Sequence, residues 1–349
     1  MLFSVTINVD CTSKWRGCTW LPWYLCPFFA TFVKTIQMKN ILVGVFLSGV
    51  AFAANAQEDS ISDDWMDEAV QEEVDPYIRN TFNATRIINA HSVETLPKGV
   101  LEFRIEHRFG DIAGDNGGAQ NFFGFDNAAD IRFAFEYGIS DKLMIGLGRN
   151  KGTGDPYRSL IDGFVKYRVL HQKKEGMPIS MSVLGVATGT YMKKSEDITQ
   201  IAYFPEWQHR LAYAAQVNIS RKFGNWLSLA IMPTYVHRNY VADTYIDGVL
   251  SKDVNGLFSI GGAAKFRISP TKAIIIEYFQ NIHGSDIRKG YKNSLGIAYE
   301  WDTFGHNFTV NLTNARGFTE VQYIPYTKED WLKGQFRLGF SISRKFEKG

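Results

Sequence analysis

Beyond residue 98 the chain alternates apolar and polar positions with a period of two, the signature of a strand with one oily face and one polar face. The first such segment is the clearest. Leu101, Phe103, Ile105 and Phe109 share a face with His107, while Glu102, Arg104, Glu106 and Arg108 share the other. Twelve segments of this kind are predicted, near 99–109, 127–138, 142–149, 160–170, 178–189, 207–222, 226–237, 254–268, 272–282, 292–301, 306–313 and 334–346. Their connections are by turns long (110–126, 150–159, 190–206, 238–253, 283–291 and 314–333) and short (Ser140-Asp141, His171–Met177, Phe223–Asn225, Ser269–Thr271 and Asp302–Gly305). A soluble sandwich has no reason to gather its long loops at one end. A transmembrane barrel does, and its even strand number returns both termini to the periplasmic side. The pattern therefore predicts an all-β fold: an antiparallel up-and-down β-barrel of about 12 strands in a bacterial outer membrane.

The other segments repeat the theme. Ile131, Phe133, Phe135 and Tyr137 oppose Asp130, Arg132, Ala134 and Glu136; Leu295, Ile297, Tyr299 and Trp301 oppose Ser294, Gly296, Ala298 and Glu300; Phe336, Leu338, Phe340 and Ile342 oppose Arg337, Gly339, Ser341 and Ser343. Alternation alone fits a secreted soluble β-sandwich equally well. Three features favour the barrel. Tyr137, Tyr167, Tyr191, Trp207, Trp226, Tyr235, Tyr278 and Trp301 gather near strand ends, where amphipathic rings suit a lipid interface. Charges of both signs occupy mid-strand positions on the polar face. The last strand ends on Phe346, as barrels built by the outer-membrane assembly machinery do, although Glu347-Lys348-Gly349 follow it. The expected lumen-lining residues are Glu102, Arg104, Glu106, Arg108, Asp130, Arg132, Glu136, Asp162, Lys166, Arg168, Arg210, Lys265, Arg267, Glu277, Glu300 and Arg337.

Composition agrees. In 349 residues with 14% aromatics and 31 glycines, the mean hydropathy is −0.17, and no apolar run beyond residue 56 is long enough for a membrane helix. Met38-Lys39-Asn40, the apolar stretch Ile41–Ala53 and Ala54-Asn55-Ala56 read as a signal peptide, so the mature chain is expected to begin at Gln57 and residues 1–37 to be upstream sequence from a start placed too early. The competing reading, a membrane anchor from Trp15 to Val33, is disfavoured by Arg16, two prolines and the second apolar run. Cys11, Cys18 and Cys26 all precede Gln57, leaving no disulfide framework or thiol chemistry beyond it. Residues 57–80 form an expected acidic, disordered periplasmic tail, in which nine carboxylates from Glu58 to Asp75 come before any basic residue; a periplasmic partner for it is the second reading. The barrel domain is expected over 81–349, and 81–90 are a candidate extra strand.

The run Thr85–Gly110, with Asp126–Arg132, Tyr137–Asp141 and Gly146–Arg149, resembles a bacterial outer-membrane β-barrel family catalogued only as a domain of unknown function, over about residues 76–346. Ala90 stands where that family carries glycine. The resemblance implies fold and location; it assigns no functional residue.

Chemistry-bearing motifs are sparse. Gly146-Leu147-Gly148-Arg149-Asn150-Lys151-Gly152-Thr153-Gly154 has the glycines of a phosphate loop, but a strand runs into it and Asp155-Pro156 follow where a helix should begin. An embedded phospholipase-like hydrolase is the alternative function, yet His91 and Ser92 are adjacent and the remaining histidines (His107, His171, His209, His237, His283, His306) show no spaced metal pair. No cofactor, metal or nucleic acid is expected; the partners are outer-membrane lipid and the assembly machinery. A non-enzymatic barrel remains, either a narrow channel for small solutes or a structural or surface-interaction barrel, its arginines and carboxylates filling the interior as a paired network or, less favoured, selecting anions.

Overall fold

The computed structural model describes residues 75–347 apart from 115–116, 128–129, 153–155, 199, 247, 284–286 and 304. The upstream piece 1–37, the signal peptide 38–56 and all but the end of the acidic tail lie outside the described residues. Twelve strands close into one antiparallel barrel: β1 (Leu101–Asp111), β2 (Asp130–Ser140), β3 (Leu143–Lys151), β4 (Ser159–Leu170), β5 (Ser180–Thr190), β6 (Leu211–Phe223), β7 (Leu227–Arg238), β10 (Gly256–Ser269), β11 (Lys272–Ile282), β12 (Leu295–Thr303), β13 (His306–Thr313) and β14 (Arg337–Phe346). A small hairpin, β8 (Thr244–Ile246) with β9 (Val249–Ser251), sits in the loop after β7, and a short helix, α1 (Glu320–Tyr326), in the loop before β14. Each barrel strand pairs with its chain neighbour, and β1 closes on β14 from Leu101↔Phe346 to Arg108↔Gly339. Closure leaves no unpaired edge, as a sheet surrounded by hydrocarbon requires.

The two faces are partitioned opposite to a soluble domain. Arg132 and Lys166 are fully buried, whereas Phe135 is 54% and Leu147 61% exposed on the outside. Charged residues inside and an oily exterior exclude the sandwich, in which the apolar face would be the core.

Strand ends move by a few residues from the sequence-based limits. Trp207–Arg210 form a 3-10 turn before β6, so Arg210 lies at the barrel mouth rather than on a strand. Residues 81–90 add no strand: β1 and β14 already consume the barrel's edges, and this segment turns into the lumen instead. The phosphate-loop glycine Gly146 has a packing role, since a Cβ there would stand 2.2 Å from the Phe164 ring that crosses it from β4.

The partition yields a direct test. Phe135→Arg, at mid-depth on the outer face, should destabilise the barrel in lipid vesicles by about 2–4 kcal/mol, measured by urea unfolding. Arg104→Leu, which faces inward, should leave insertion and heat-modifiable gel mobility intact. Equal insertion defects in both variants would contradict the assignment of faces.

Candidate functional site

The interior of the barrel is occupied by the protein itself, from both ends. At the short-turn end, residues 75–100 cross the rim. Ile78 N donates to Gln172 O at 2.8 Å, Tyr77 stacks on His171, and on the return Lys98 N donates to Asp141 Oδ1 at 2.9 Å. Between these anchors the chain enters the lumen as a tight hairpin, with Ser92 N donating to Thr85 O at 2.9 Å and Ile87 N to Ala90 O at 2.8 Å. Thr81, Phe82, Thr85, Arg86, Asn89, Ala90 and His91 are buried.

Wall side chains satisfy the backbone of this plug. At its tip, the Glu277 carboxylate of β11 accepts from the amides of Ile88 (3.1 Å), Asn89 (2.9 Å) and Ala90 (3.2 Å). Lower down, the Lys166 ammonium of β4 donates to the carbonyls of Thr85 (2.9 Å), Ser92 (3.1 Å) and Glu94 (2.8 Å), matching three donors to three acceptors. Thr85 Oγ1 donates to Glu136 at 2.6 Å, Lys265 Nζ to Asn83 Oδ1 at 2.8 Å, and Arg168 pairs with Glu94 at 2.9 Å. An isolated hairpin exposes backbone groups that cost free energy when buried unpaired, and here opposite walls of the barrel supply the partners.

Much of the charged wall pairs within itself. Arg132 bridges Glu106 and Asp162, both at 2.6 Å, and Arg104 meets Glu102 at 2.6 Å and Glu136 at 3.7 Å. Glu300 accepts from Asn307 at 3.0 Å, and Asp130 binds Arg316 of the β13–β14 loop at 2.7 Å. Arg337 is half-buried at the long-loop end, pairing with Glu329 at 2.6 Å; Arg267 is half-buried near the short turns; Arg210 donates to Met192 O at 2.7 Å. The structure thus brings Glu102, Arg104, Glu106, Arg108, Arg132, Glu136, Asp162, Lys166 and Glu277 together around the plug, and leaves Arg210, Arg267 and Arg337 nearer the rims.

The second closure is the loop between β13 and β14. Thr319 and Gln322 form a capping box that starts α1, and Val321, Tyr323 and Ile324 are buried. Gln322 Nε2 donates to Tyr157 O at 3.0 Å, Asn281 Nδ2 to Ile324 O at 2.9 Å, and Tyr323 meets the Phe279 ring edge-on at 5.1 Å. Arg238 grips Asp253 with two bonds of 2.9 Å and donates to Tyr326 OH at 3.1 Å, while Arg288 bridges Asp253 and Pro325 O. Burial acts to raise the Asp253 carboxyl, but the hydrogen bonds and charges of Arg238 and Arg288 outweigh it and hold it below the usual carboxylate range.

Two arginines join the closures. Arg108 donates to Asn89 Oδ1 of the plug and to the carbonyls of Ala315 (3.1 Å) and Gly317 of the loop, with its guanidinium 4.6 Å from the Phe318 ring centroid. Arg86, on the plug, reaches Phe318 O and pairs with Glu106 at 3.3 Å. Periodicity cannot find Arg86, Asn89, Glu94, Asp253 or Arg288, because none lies on an alternating segment; Arg238 is on the inward face of β7, one residue beyond the segment 226–237 read from the sequence. One signal was available: the family-like run starts at Thr85, well ahead of the first strand.

A sealed antiparallel barrel with an oily exterior and a charged, filled interior defines a transmembrane β-barrel protein. The chain belongs to the family described as a membrane-bound beta barrel domain, DUF5777, whose profile matches residues 82–346 and so includes the plug. No curated protein matches it significantly. Among solved structures it is similar to the NanC porin (10% identity, 71% of this chain and 100% of that one, TM-score 0.40) and the KdgM porin (8%, 71% and 99%, 0.41). It is also similar to the translocator domain of the autotransporter NalP from Neisseria meningitidis (8%, 73% and 91%, 0.37).

Two outcomes follow for these closures. In a chain starting at Gln57, which has no cysteine, Ala90→Cys should be shielded from a water-soluble thiol reagent, and adding Glu277→Ala should expose it, since each orphaned plug amide costs about 1–3 kcal/mol. Unchanged labelling would remove Glu277 as the latch. At the other end, the depressed Asp253 contributes stability above the ordinary carboxylate pKa that is lost as pH falls through its lowered value. A fluorophore on Lys328→Cys should therefore report release only at pH below the usual carboxylate range, and already at neutral pH in Asp253→Asn; release at the same pH in both would contradict this.

Proposed function

We propose that the chain is a non-enzymatic, gated channel of the bacterial outer membrane for small polar solutes, closed at rest by the hairpin 81–94 and the α1 loop, with the short turns and both termini in the periplasm. The observation that carries this reading is that the densest charges of the wall pair with one another, while Lys166 and Glu277 hold the plug by its backbone. Arg132 with Glu106 and Asp162, and Arg104 with Glu102 and Glu136, keep their partners when the plug leaves. A wall of paired charges is hydrated readily, whereas a permanent core is better served by apolar packing. The carboxylates of 58–75 lie directly upstream of the plug, so a cationic periplasmic partner that binds them would pull on it. The hydrolase reading gains nothing: Ser92 Oγ donates to Ala84 O at 2.6 Å and His91 Nε2 faces Arg86 at 3.1 Å.

A disulfide lock tests the gate. An ideal Cβ on Gly296 of β12 stands 3.5 Å from Ile88 Cβ at the plug tip, within bridging range. In planar bilayers the mature chain should open intermittently. The oxidised Ile88→Cys/Gly296→Cys variant should stay closed, with openings restored by reductant. Openings that persist when oxidised, or a wild-type chain that never opens under any voltage, would instead support a permanently closed structural barrel.

A further inference from the structure

The outer surface of β4, β5 and β6 is recessed toward the long-loop end. Gly163, Ala187 and Gly189 project too little to fill the sheet face, and with Ile161, Tyr213 and Trp207 they border a groove of about 520 Å³. Strand register explains it. Arg149 is level with Ile161, Ile161 with the bare Gly189, and Gly189 with Leu211, while the neighbouring outward row sets Gly163 level with Ala187 and Ala187 with Tyr213, so a cation stands at the head of a row beside three small positions. One step toward the long loops, Lys151 is level with Ser159, whose carbonyl accepts from Tyr191 N.

Arg149 and Lys151 are exposed on the lipid-facing side. The Arg149 guanidinium lies 5.6 Å from the Tyr191 ring centroid, and Arg210 lines the same groove while capping the Thr190 and Met192 carbonyls. Among the described residues no carboxylate pairs with any of the three. Cations facing lipid near a strand end are costly unless they reach an anionic headgroup. An apolar recess directly beside them takes the chain attached to that headgroup.

We propose that this groove binds a phosphorylated glycolipid of the outer leaflet, one acyl chain lying along Gly163, Ala187 and Gly189 and a phosphate over Arg149 and Lys151. Trp207 and Tyr191 then sit at headgroup level, where such rings are favoured. The inference rests on the long loops facing outward, as proposed above, and is independent of whether the lumen opens.

The test is native mass spectrometry of the detergent-purified mature chain with diphosphorylated lipid A or, separately, phosphatidylglycerol. Wild type should retain one lipid A per barrel. Arg149→Gln/Lys151→Gln and the groove-filling Ala187→Phe should each weaken retention about tenfold, and phosphatidylglycerol should be held comparably more weakly. Heat-modifiable gel mobility verifies folding; if Ala187→Phe fails that check, Gly189→Val replaces it. Retention unchanged in either variant would overturn the site, and equal retention of phosphatidylglycerol would overturn the glycolipid assignment. The channel reading stands or falls separately, on conductance.

Discussion

A closed sheet in hydrocarbon has only one place for its polar side chains, and that constraint governs the rest of the molecule. Twelve strands turn their mid-depth charges inward, where Arg132 and Lys166 are fully buried. Water, a solute or the chain itself must satisfy such groups, because an unpaired buried charge costs several kcal/mol. Here the chain does it from both ends. The hairpin brings bare backbone to the wall, which is why one lysine takes three carbonyls and one glutamate takes three amides.

The two closures are joined rather than merely stacked. Arg108 holds Asn89 of the plug and the carbonyls of Ala315 and Gly317 of the β13–β14 loop, and Arg86 reaches Phe318 O from the plug side. Displacing the hairpin would therefore take the Arg86 donor from Phe318 O, while Arg108, on β1, loses Asn89 and keeps the Ala315 and Gly317 carbonyls. Shared guanidiniums thus tie the hairpin and this loop to each other, while the ion pairs internal to the wall depend on neither.

The barrel was legible because its signal is local and periodic: Leu101 to Phe109 or Ile131 to Tyr137 announce their faces within one segment. The interior was not, for a physical reason. Thr85-Arg86-Ile87-Ile88-Asn89-Ala90-His91-Ser92 follows no period, and its partners lie as far along the chain as Lys166, Asn218 and Glu277. Only closure of the barrel brings those residues within reach. The α1 loop hides similarly, since seven residues carrying Pro325 read as a connection. The face of Glu277 could be read from the sequence; that it would latch a backbone turn could not. The groove on β4–β6 lies between these cases, with small residues visible at alternate positions but aligned only by register.

Residues 81–94 are an integral part of the folded barrel rather than a tail beneath it. Hydrogen exchange of the mature chain reconstituted in lipid vesicles tests it most directly. The account predicts that the amides of Ile88, Asn89 and Ala90, held by Glu277, exchange as slowly as the β11 strand that carries it. Exchange at the rate of exposed loops, with the barrel strands still protected, would contradict it.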